Sequence, residues 1–217
     1  MASTEDLIES LAGGLKPVRR LRPPFVRAAL VIVLGTLVIA LLALARGLRD
    51  DFVARMGDAD FLVAVGGAWL TGATATLAAF EVSLPDRSRL WAVLPIPAAA
   101  LWLYGFAYGC LAHWIAIPTG APIMPQSMQC LETIVMATIP LGLALWWMLG
   151  RARPLWSGGT AWVAALAVAG YADTAHLLLH VVNASALVLA INLVPVTLIV
   201  VAGGLGGRRG LRAGAPA

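Results

Sequence analysis

Long apolar runs alternate with short charged stretches along most of this chain of 217 residues. A helix of about 20 apolar residues is long enough to cross the ~30 Å hydrocarbon core of a bilayer. Six runs approach or exceed that length. They predict spans over residues 25–45, 61–82, 91–111, 130–149, 158–178 and 183–205. The pattern therefore indicates an all-α integral membrane bundle of six helices, with residues 25–207 as the membrane domain.

The composition agrees with a membrane location. Only 12% of the residues are charged, against about 25% in a typical soluble domain, and the mean hydropathy is +0.87. The basic residues flank the apolar runs and form no continuous patch, so we expect no direct contact with nucleic acid. The first apolar run is too long for the core of a signal peptide, and no small-residue cleavage site follows it.

Residues 1–24 precede the first predicted span and contain the pattern of a short amphipathic helix. Glu5 and Asp6 suit the first turn, where the helix dipole favours negative charge. Apolar residues follow at helical spacing and define one face: Leu7, Ile8, Leu11 and Leu15. A Gly-Gly pair and Pro17 end the pattern. Such a helix either lies on the lipid surface or docks onto a soluble partner, and both interpretations stay open here.

The basic residues predict the orientation of the spans. Six spans place both termini on one side, and that side holds 12 of the 15 Lys and Arg residues. They are Lys16, Arg19, Arg20, Arg22, Arg27, Arg87, Arg89, Arg151, Arg153, Arg208, Arg209 and Arg212. The other three, Arg46, Arg49 and Arg55, follow the first span. Because cytoplasmic loops are enriched in Lys and Arg, we expect both termini and the tail at 208–217 to be cytoplasmic.

The chain has two cysteines, Cys110 and Cys130, which end one predicted span and begin the next. A charge-free, proline-containing loop separates them. On the predicted topology both lie at the outer, oxidising side, where a nearby thiol pair is expected to form a disulfide. One interpretation is a structural bridge that closes the loop. The other is a switch that responds to redox change or to a thiophilic metal.

The three histidines are weaker candidates for metal ligands. His113 follows Cys110 closely and could join both thiolates in a soft-metal site. His176 and His180 lie four residues apart on the fifth span, a spacing that could ligate a metal or a haem. No second pair on another span completes such a site, which favours hydrogen-bonded histidines near the interface. Asp173 lies one turn before His176.

The chain contains no phosphate-binding loop, dinucleotide fingerprint or zinc-protease motif, so we predict neither enzyme activity nor a cofactor. Two other classes remain as alternatives. A membrane thiol oxidoreductase that uses a quinone would need a Cys-x-x-Cys pair or four cysteines to relay electrons. A small transporter would be indicated by charges at mid-membrane or by interrupted spans, and here the charges cluster at the ends of the spans.

Several short motifs occur in a fixed order along the chain. They are Asp6-Leu7-Ile8-x-x-Leu11-Ala12, Leu15-x-Pro17-Val18, Leu21-x-Pro23-Pro24, Ser83-Leu84-Pro85-x-Arg87-Ser88, Tyr108-Gly109-Cys110 and Gln129-Cys130-Leu131. Together with six predicted spans, this order resembles the NrsF-like family of bacterial membrane proteins, the negative regulators of sigma F. The resemblance covers nearly the whole chain.

The resemblance implies an anti-sigma factor of the bacterial inner membrane. Its partner would be an extracytoplasmic-function sigma factor, released under oxidative or heavy-metal stress. Cys110 and Cys130 would be the sensing pair. Residues 1–24 would form the docking segment, whose contacts we assign to Asp6 and to the apolar face that follows it.

Overall fold

The structure, a computed structural model, describes residues 4–13, 22–112, 123–152, 154–179, 198 and 200–206. These residues contain helices and turns but no strand, which confirms the all-α prediction. The helices are α1 (Thr4–Gly13), α2 (Pro24–Arg46), α3 (Phe52–Arg55), α4 (Ala59–Val82), a 3₁₀ helix (Arg89–Val93), α5 (Ile96–Ala112), α6 (Ile123–Gly150) and α7 (Ser157–Leu179). Residues 200–206 are also helical, and we call them the C-terminal segment.

Four helices are long and apolar enough to cross a membrane: α2, α4, the Glu132–Gly150 part of α6, and α7. Helix α5 has 17 residues, which at 1.5 Å per residue gives roughly 26 Å, just below the usual thickness of the hydrocarbon core. Of the predicted sixth span, only residue 198 and the C-terminal segment lie within the described residues. The described part of the chain thus contains four clear candidates where the sequence predicts six spans.

Prolines account for the two places where helix boundaries differ from the prediction. The predicted third span is divided into the 3₁₀ helix and α5, and Pro97 occupies the first turn of α5. Helix α6 begins at Ile123, ahead of the predicted start at Cys130, with Pro125 in its first turn. A proline is tolerated there because the first N–H groups of a helix have no intrahelical partner.

Helix α4 lies between α5 and α7, and glycines bring the three backbones into close contact. A Cβ atom added to Gly67 would lie 2.5 Å from the Trp102 nitrogen, and one added to Gly170 would lie 2.7 Å from the Ala68 oxygen. Small residues permit this approach, which maximises van der Waals contact between membrane helices. We call these three helices the α4–α5–α7 unit.

Helices α2 and α6 pack against this unit through larger side chains. Tyr171 of α7 is fully buried, and its ring contacts Gly35 of α2 and Gly72 of α4. Helix α6 contributes one apolar stripe to the core: Ile134, Ala137, Leu141, Leu145 and Leu149. An apolar groove of about 570 Å³ is lined by α6, α7 and the C-terminal segment.

Candidate functional site

Buried polar groups lie at both ends of the bundle. At one end α2 and α7 terminate and residues 47–58 connect α2 with α4; we call this the Arg49 end. At the other, α2 begins, α4 and α6 terminate, and turns at 83–95 and 151–156 connect the helices; we call this the Arg27 end. On the topology predicted from the sequence, these are the outer and inner ends respectively.

Arg49 holds the segment that connects α2 with α4 against the C-terminal end of α7. Its side chain is only 3% exposed, and its Nε and Nη2 atoms donate to Asp51 over 2.5 and 2.8 Å. Its backbone N–H donates to the Leu178 oxygen over 3.2 Å, and Nη1 donates to the Leu177 oxygen over 3.4 Å. The carbonyls in the last turn of a helix have no intrahelical partner, so Arg49 acts as a C-cap for α7.

The same contacts lower the pKa of the Asp51 carboxyl group. The hydrogen bonds from Arg49, helped by the positive charges of Arg49 and Arg55, hold the pKa of the Asp51 carboxyl below its usual value. The carboxylate therefore stays ionised to a lower pH than a free aspartate does, and the pair with Arg49 is maintained at neutral pH.

A hydrogen bond inside the bundle joins α5 to α7. The Trp102 Nε1 atom donates to Asp173 Oδ2 over 2.7 Å, and both residues are almost completely buried. His176, one turn beyond Asp173, is buried as well. The sequence predicted His176 to lie near the interface at the end of the fifth span, whereas the structure buries it together with Asp173. Because a buried carboxylate without a donor is costly, this bond fixes α5 against α7.

The helices that carry the two cysteines approach the Arg49 end. Cys110 lies in the last turn of α5, and Cys130 lies in the part of α6 nearest that end. Their side chains lie outside the described part of the structure, so their pairing stays a prediction.

The metal-ligand candidates are likewise untested. His113 and His180 lie outside the described residues. Within the residues that the structure describes, no three His, Cys, Asp or Glu side chains are grouped closely enough to hold a metal ion.

An ion pair ties α6 to α2 close to Cys130. The Arg46 Nη2 atom lies 2.5 Å from Glu132 Oε1, and it also contacts the Met136 sulfur at 3.5 Å. Arg46 is in the last turn of α2, and Glu132 follows Cys130 by two residues. The pair is partly exposed, with 32% and 48% of the two side chains accessible.

At the opposite end Arg27 of α2 reaches the end of α6. The Arg27 Nη2 atom donates to the backbone oxygen of Met148, which is in the last turn of α6. The guanidinium also lies over the Phe80 ring, 4.6 Å from its centroid, and the residue is 5% exposed. No carboxylate forms an ion pair with Arg27 in the described part of the chain. The α6 carbonyl end and the aromatic ring therefore compensate its charge.

The turns at the Arg27 end are anchored to the bundle as well. Glu81, near the end of α4, is fully buried, and Arg87 approaches it to 3.3 Å from the following turn. Arg89 lies over the Trp156 ring at 5.4 Å and thereby connects the turns at 83–95 and 151–156. From the sequence, Arg27 was predicted to contribute only to the orientation of the spans, and Glu81 was assigned no role. Each is a charged residue within a predicted apolar span, and this is the signal that could have indicated a buried charge with a specific partner.

Helix α1 confirms the helix predicted at the N-terminus. It has ten residues, with Glu5 and Asp6 in its first turn. Every α1 side chain that the structure describes is exposed, and Ile8 is 60% exposed. The side chains of Leu7 and Leu11 lie outside the described part, as does the whole of Leu15.

These features define a helical protein with four helices long and apolar enough to span a membrane, buried polar groups at both ends and an exposed acidic helix at its N-terminus. The family model described as "NrsF: Negative regulator of sigma F" matches residues 11–212, and the chain belongs to this family. The matched region includes both cysteines and begins after Asp6, Leu7 and Ile8. No curated protein and no solved structure matches the chain.

Proposed function

We propose that this protein is an anti-sigma factor that retains an extracytoplasmic-function sigma factor at the bacterial inner membrane and releases it on a redox or heavy-metal signal. The observation that carries the proposal is the family match over residues 11–212. The family's description names a sigma factor as the regulated partner. The four apolar helices support retention at a membrane.

The distribution of charge supports a six-span arrangement with both termini in the cytoplasm. The Arg27 end carries Arg22, Arg27, Arg87, Arg89 and Arg151, and the Arg49 end carries Arg46, Arg49 and Arg55. The larger basic group belongs at the cytoplasmic face. In this arrangement α5 is the third span, and residues 183–205 form the sixth.

Helix α1 is the contact that we assign to the sigma factor. Its acidic first turn complements a basic surface, as expected on a protein that binds DNA, and Ile8 supplies an exposed apolar anchor. A helix of ten residues buries too little area for a strong interface by itself. Leu90 and Leu155, which are 75% and 83% exposed on the turns of the Arg27 end, supply further contacts. Confinement to the membrane then raises the effective concentration of both contacts.

Cys110 and Cys130 are the residues that we assign to sensing. Their helices lead to the Arg49 end, which lies in the oxidising periplasm on this topology. A change in the state of the two sulfur atoms would alter the distance allowed between the end of α5 and the start of α6. The sensing step thus acts on two helices that both continue to the Arg27 end.

Affinity purification of the tagged, full-length protein from its host tests the partner and the docking site. Intact protein should recover a sigma factor, and deletion of residues 2–15 should abolish recovery. Ile8→Asn should lower recovery roughly tenfold, because burying an Ile side chain contributes about 1.5–3 kcal/mol. Val53→Asn is the matched control, since Val53 is an equally apolar side chain, 85% exposed at the opposite end. Equal recovery by all variants would place the docking site elsewhere, and recovery of no sigma factor by the intact protein would refute the proposal.

A sigma-dependent reporter in the same host tests the sensing residues. The Cys110→Ser/Cys130→Ser variant should retain the sigma factor but should no longer release it when cells are treated with diamide or cadmium ions. Release identical to that of the wild type would exclude the cysteine pair as the sensor.

A further inference from the structure

We propose that α6 transmits a displacement at the Arg49 end to the docking segment, and that Arg27 is the positioning residue through which α2 follows α6. This inference rests on the proposed function. It concerns the path within the bundle and does not depend on which chemical signal acts at the cysteines.

The first observation is that α6 is tied to α2 at two positions, one near Cys130 and one in the last turn of α6. Near Cys130 the tie is the ion pair between Arg46 and Glu132 at 2.5 Å. At the Arg27 end it is the hydrogen bond from Arg27 to the Met148 oxygen. The two ties lie near opposite ends of both helices, so a shift or tilt of α6 acts directly on α2.

The second observation is that, among the described helices, α6 is held less closely than the members of the α4–α5–α7 unit. Within the α4–α5–α7 unit, glycines bring backbones into contact, and the bond between Trp102 and Asp173 fixes α5 to α7. Helix α6 instead packs through a stripe of apolar side chains, and one side of it lines the groove of about 570 Å³. Pro140 removes one backbone hydrogen bond from the helix. A Cβ atom added to Gly142 would meet no atom of the described residues within 4 Å.

The third observation is the electrostatic state of Arg27. Its guanidinium is buried against Phe80, and its hydrogen bond goes to a carbonyl at the negative end of the α6 dipole. If α6 moved alone, Arg27 would be left as a buried cation without that acceptor, which is strongly unfavourable. The start of α2 is therefore forced to follow α6 or to lose its anchor.

The position of Arg27 makes this movement relevant to the partner. Arg27 lies in the first turn of α2, directly after residues 1–24. A displacement there moves the docking segment relative to the turns at 83–95 and 151–156. The first of these turns is anchored to α4 through Glu81, and the contact of Arg89 with Trp156 joins the two turns. A sigma factor held by α1 and by those turns together would lose one of the two contacts.

The experiment measures sigma-factor retention in the host by full-length variants, normalised to their abundance in the membrane, without any inducer. Glu132→Gln and Arg46→Gln each break the tie near Cys130. Because the intact tie holds the start of α2 in the retaining position, we expect each to raise sigma-dependent reporter expression by up to roughly fivefold, the limit for an ion pair that is partly exposed to solvent. Asp58→Asn is the matched control, because it breaks an ion pair of similar length and exposure (Arg55 to Asp58, 2.6 Å) that does not involve α6.

The role of Arg27 is tested by combining Arg27→Gln with Glu132→Gln, which breaks the ion pair near Cys130. Arg27→Gln should lower retention, and adding Glu132→Gln to it should have no further effect, since the path is already broken. Arg27→Lys, which can still donate to the Met148 oxygen, should keep retention close to that of the wild type. A residue that only supported folding would change abundance and leave the normalised response to Glu132→Gln intact.

The outcomes separate this inference from the proposed function. If the wild type retains a sigma factor and Glu132→Gln behaves like Asp58→Asn, the inference is wrong and the proposed function stands. If Glu132→Gln raises reporter expression equally in the wild-type protein and in the Arg27→Gln variant, a path through Arg27 is excluded. If the wild type retains no sigma factor, both are refuted.

Discussion

The α4–α5–α7 unit and helix α6 are held in place by different kinds of contact. In the unit, glycine positions such as Gly67 and Gly170 leave no space between backbones, and a buried hydrogen bond joins α5 to α7. Helix α6 lies against the unit through Leu141, Leu145 and similar side chains, and its ends are tied by two arginines of α2. Backbone contact resists sliding, whereas side-chain contact with a groove alongside permits it.

The difference assigns separate roles to the two cysteine-bearing helices. Cys110 belongs to α5, a member of the rigid unit, and Cys130 belongs to α6. A change in the distance between the two sulfur atoms would therefore displace α6 more readily than α5. Helix α6 then becomes the moving element of the proposed sensor, with the unit as its frame.

The largest effect is expected where the backbones of the unit touch. Gly67→Ala places a methyl group 2.5 Å from the Trp102 nitrogen, so α4 and α5 must separate. Overpacking of this kind typically costs about 1–3 kcal/mol, and backbone atoms yield less than side chains do. We expect a clear fall in the thermal unfolding temperature of the purified protein in detergent. Gly66→Ala is the matched control, because a Cβ atom at Gly66 meets nothing within 4 Å. An equal effect of both changes would show that close packing does not define the unit.

An intermediate effect is expected at the buried bond between α5 and α7. Trp102→Phe leaves the Asp173 carboxylate without its indole donor, which costs about 1–3 kcal/mol for a buried polar group. Adding Asp173→Leu should restore part of the lost stability, because replacing both partners by apolar groups removes the unsatisfied atom. The free energy of unfolding of the two variants measures this. No recovery in the double variant would show that the loss arises from packing alone.

The smallest effect is expected at the exposed edge of the Arg49 end, and it depends on pH. Hydrogen bonds from Arg49 lower the pKa of Asp51 in the folded protein, so its ionised form stabilises the fold. That contribution is complete above the unfolded pKa of about 3.9 and disappears as the pH falls through the lower folded value. Since 39% of the Asp51 side chain is exposed, the effect should be within about 1 kcal/mol.

The measurement compares unfolding of Asp51→Asn with that of the wild type between pH 7 and pH 3. The difference between the two proteins should shrink toward zero at the acid end. Asp50→Asn makes the same change one residue earlier on an exposed side chain, and it should give no such trend. A constant difference across this range would contradict the assigned pairing.

Part of this architecture follows from the sequence without any tertiary information. The bounds predicted for α2, α4 and α7 agree with the structure to within two residues, because the thickness of a bilayer sets the length of an apolar helix. The acidic start and apolar spacing of the N-terminus predicted α1, since these are local signals. The N-terminal part of α6 was not predicted, because Pro125 indicated a loop. In the structure Pro125 lies in the first turn of the helix, where a proline is tolerated.

The contacts that join the helices were decided only by the tertiary structure. Trp102 and Asp173 are separated by 71 residues, and Arg27 and Met148 by 121. Hydropathy and periodicity describe which face of a helix is apolar, but they do not say which helix it meets or which carbonyl an arginine reaches. Those partners depend on how closely the backbones approach, and here glycines at Gly67, Gly105 and Gly170 set that distance. The sequence alone thus determined the helices and their apolar character, and packing determined which of them meet backbone to backbone and which meet through side chains.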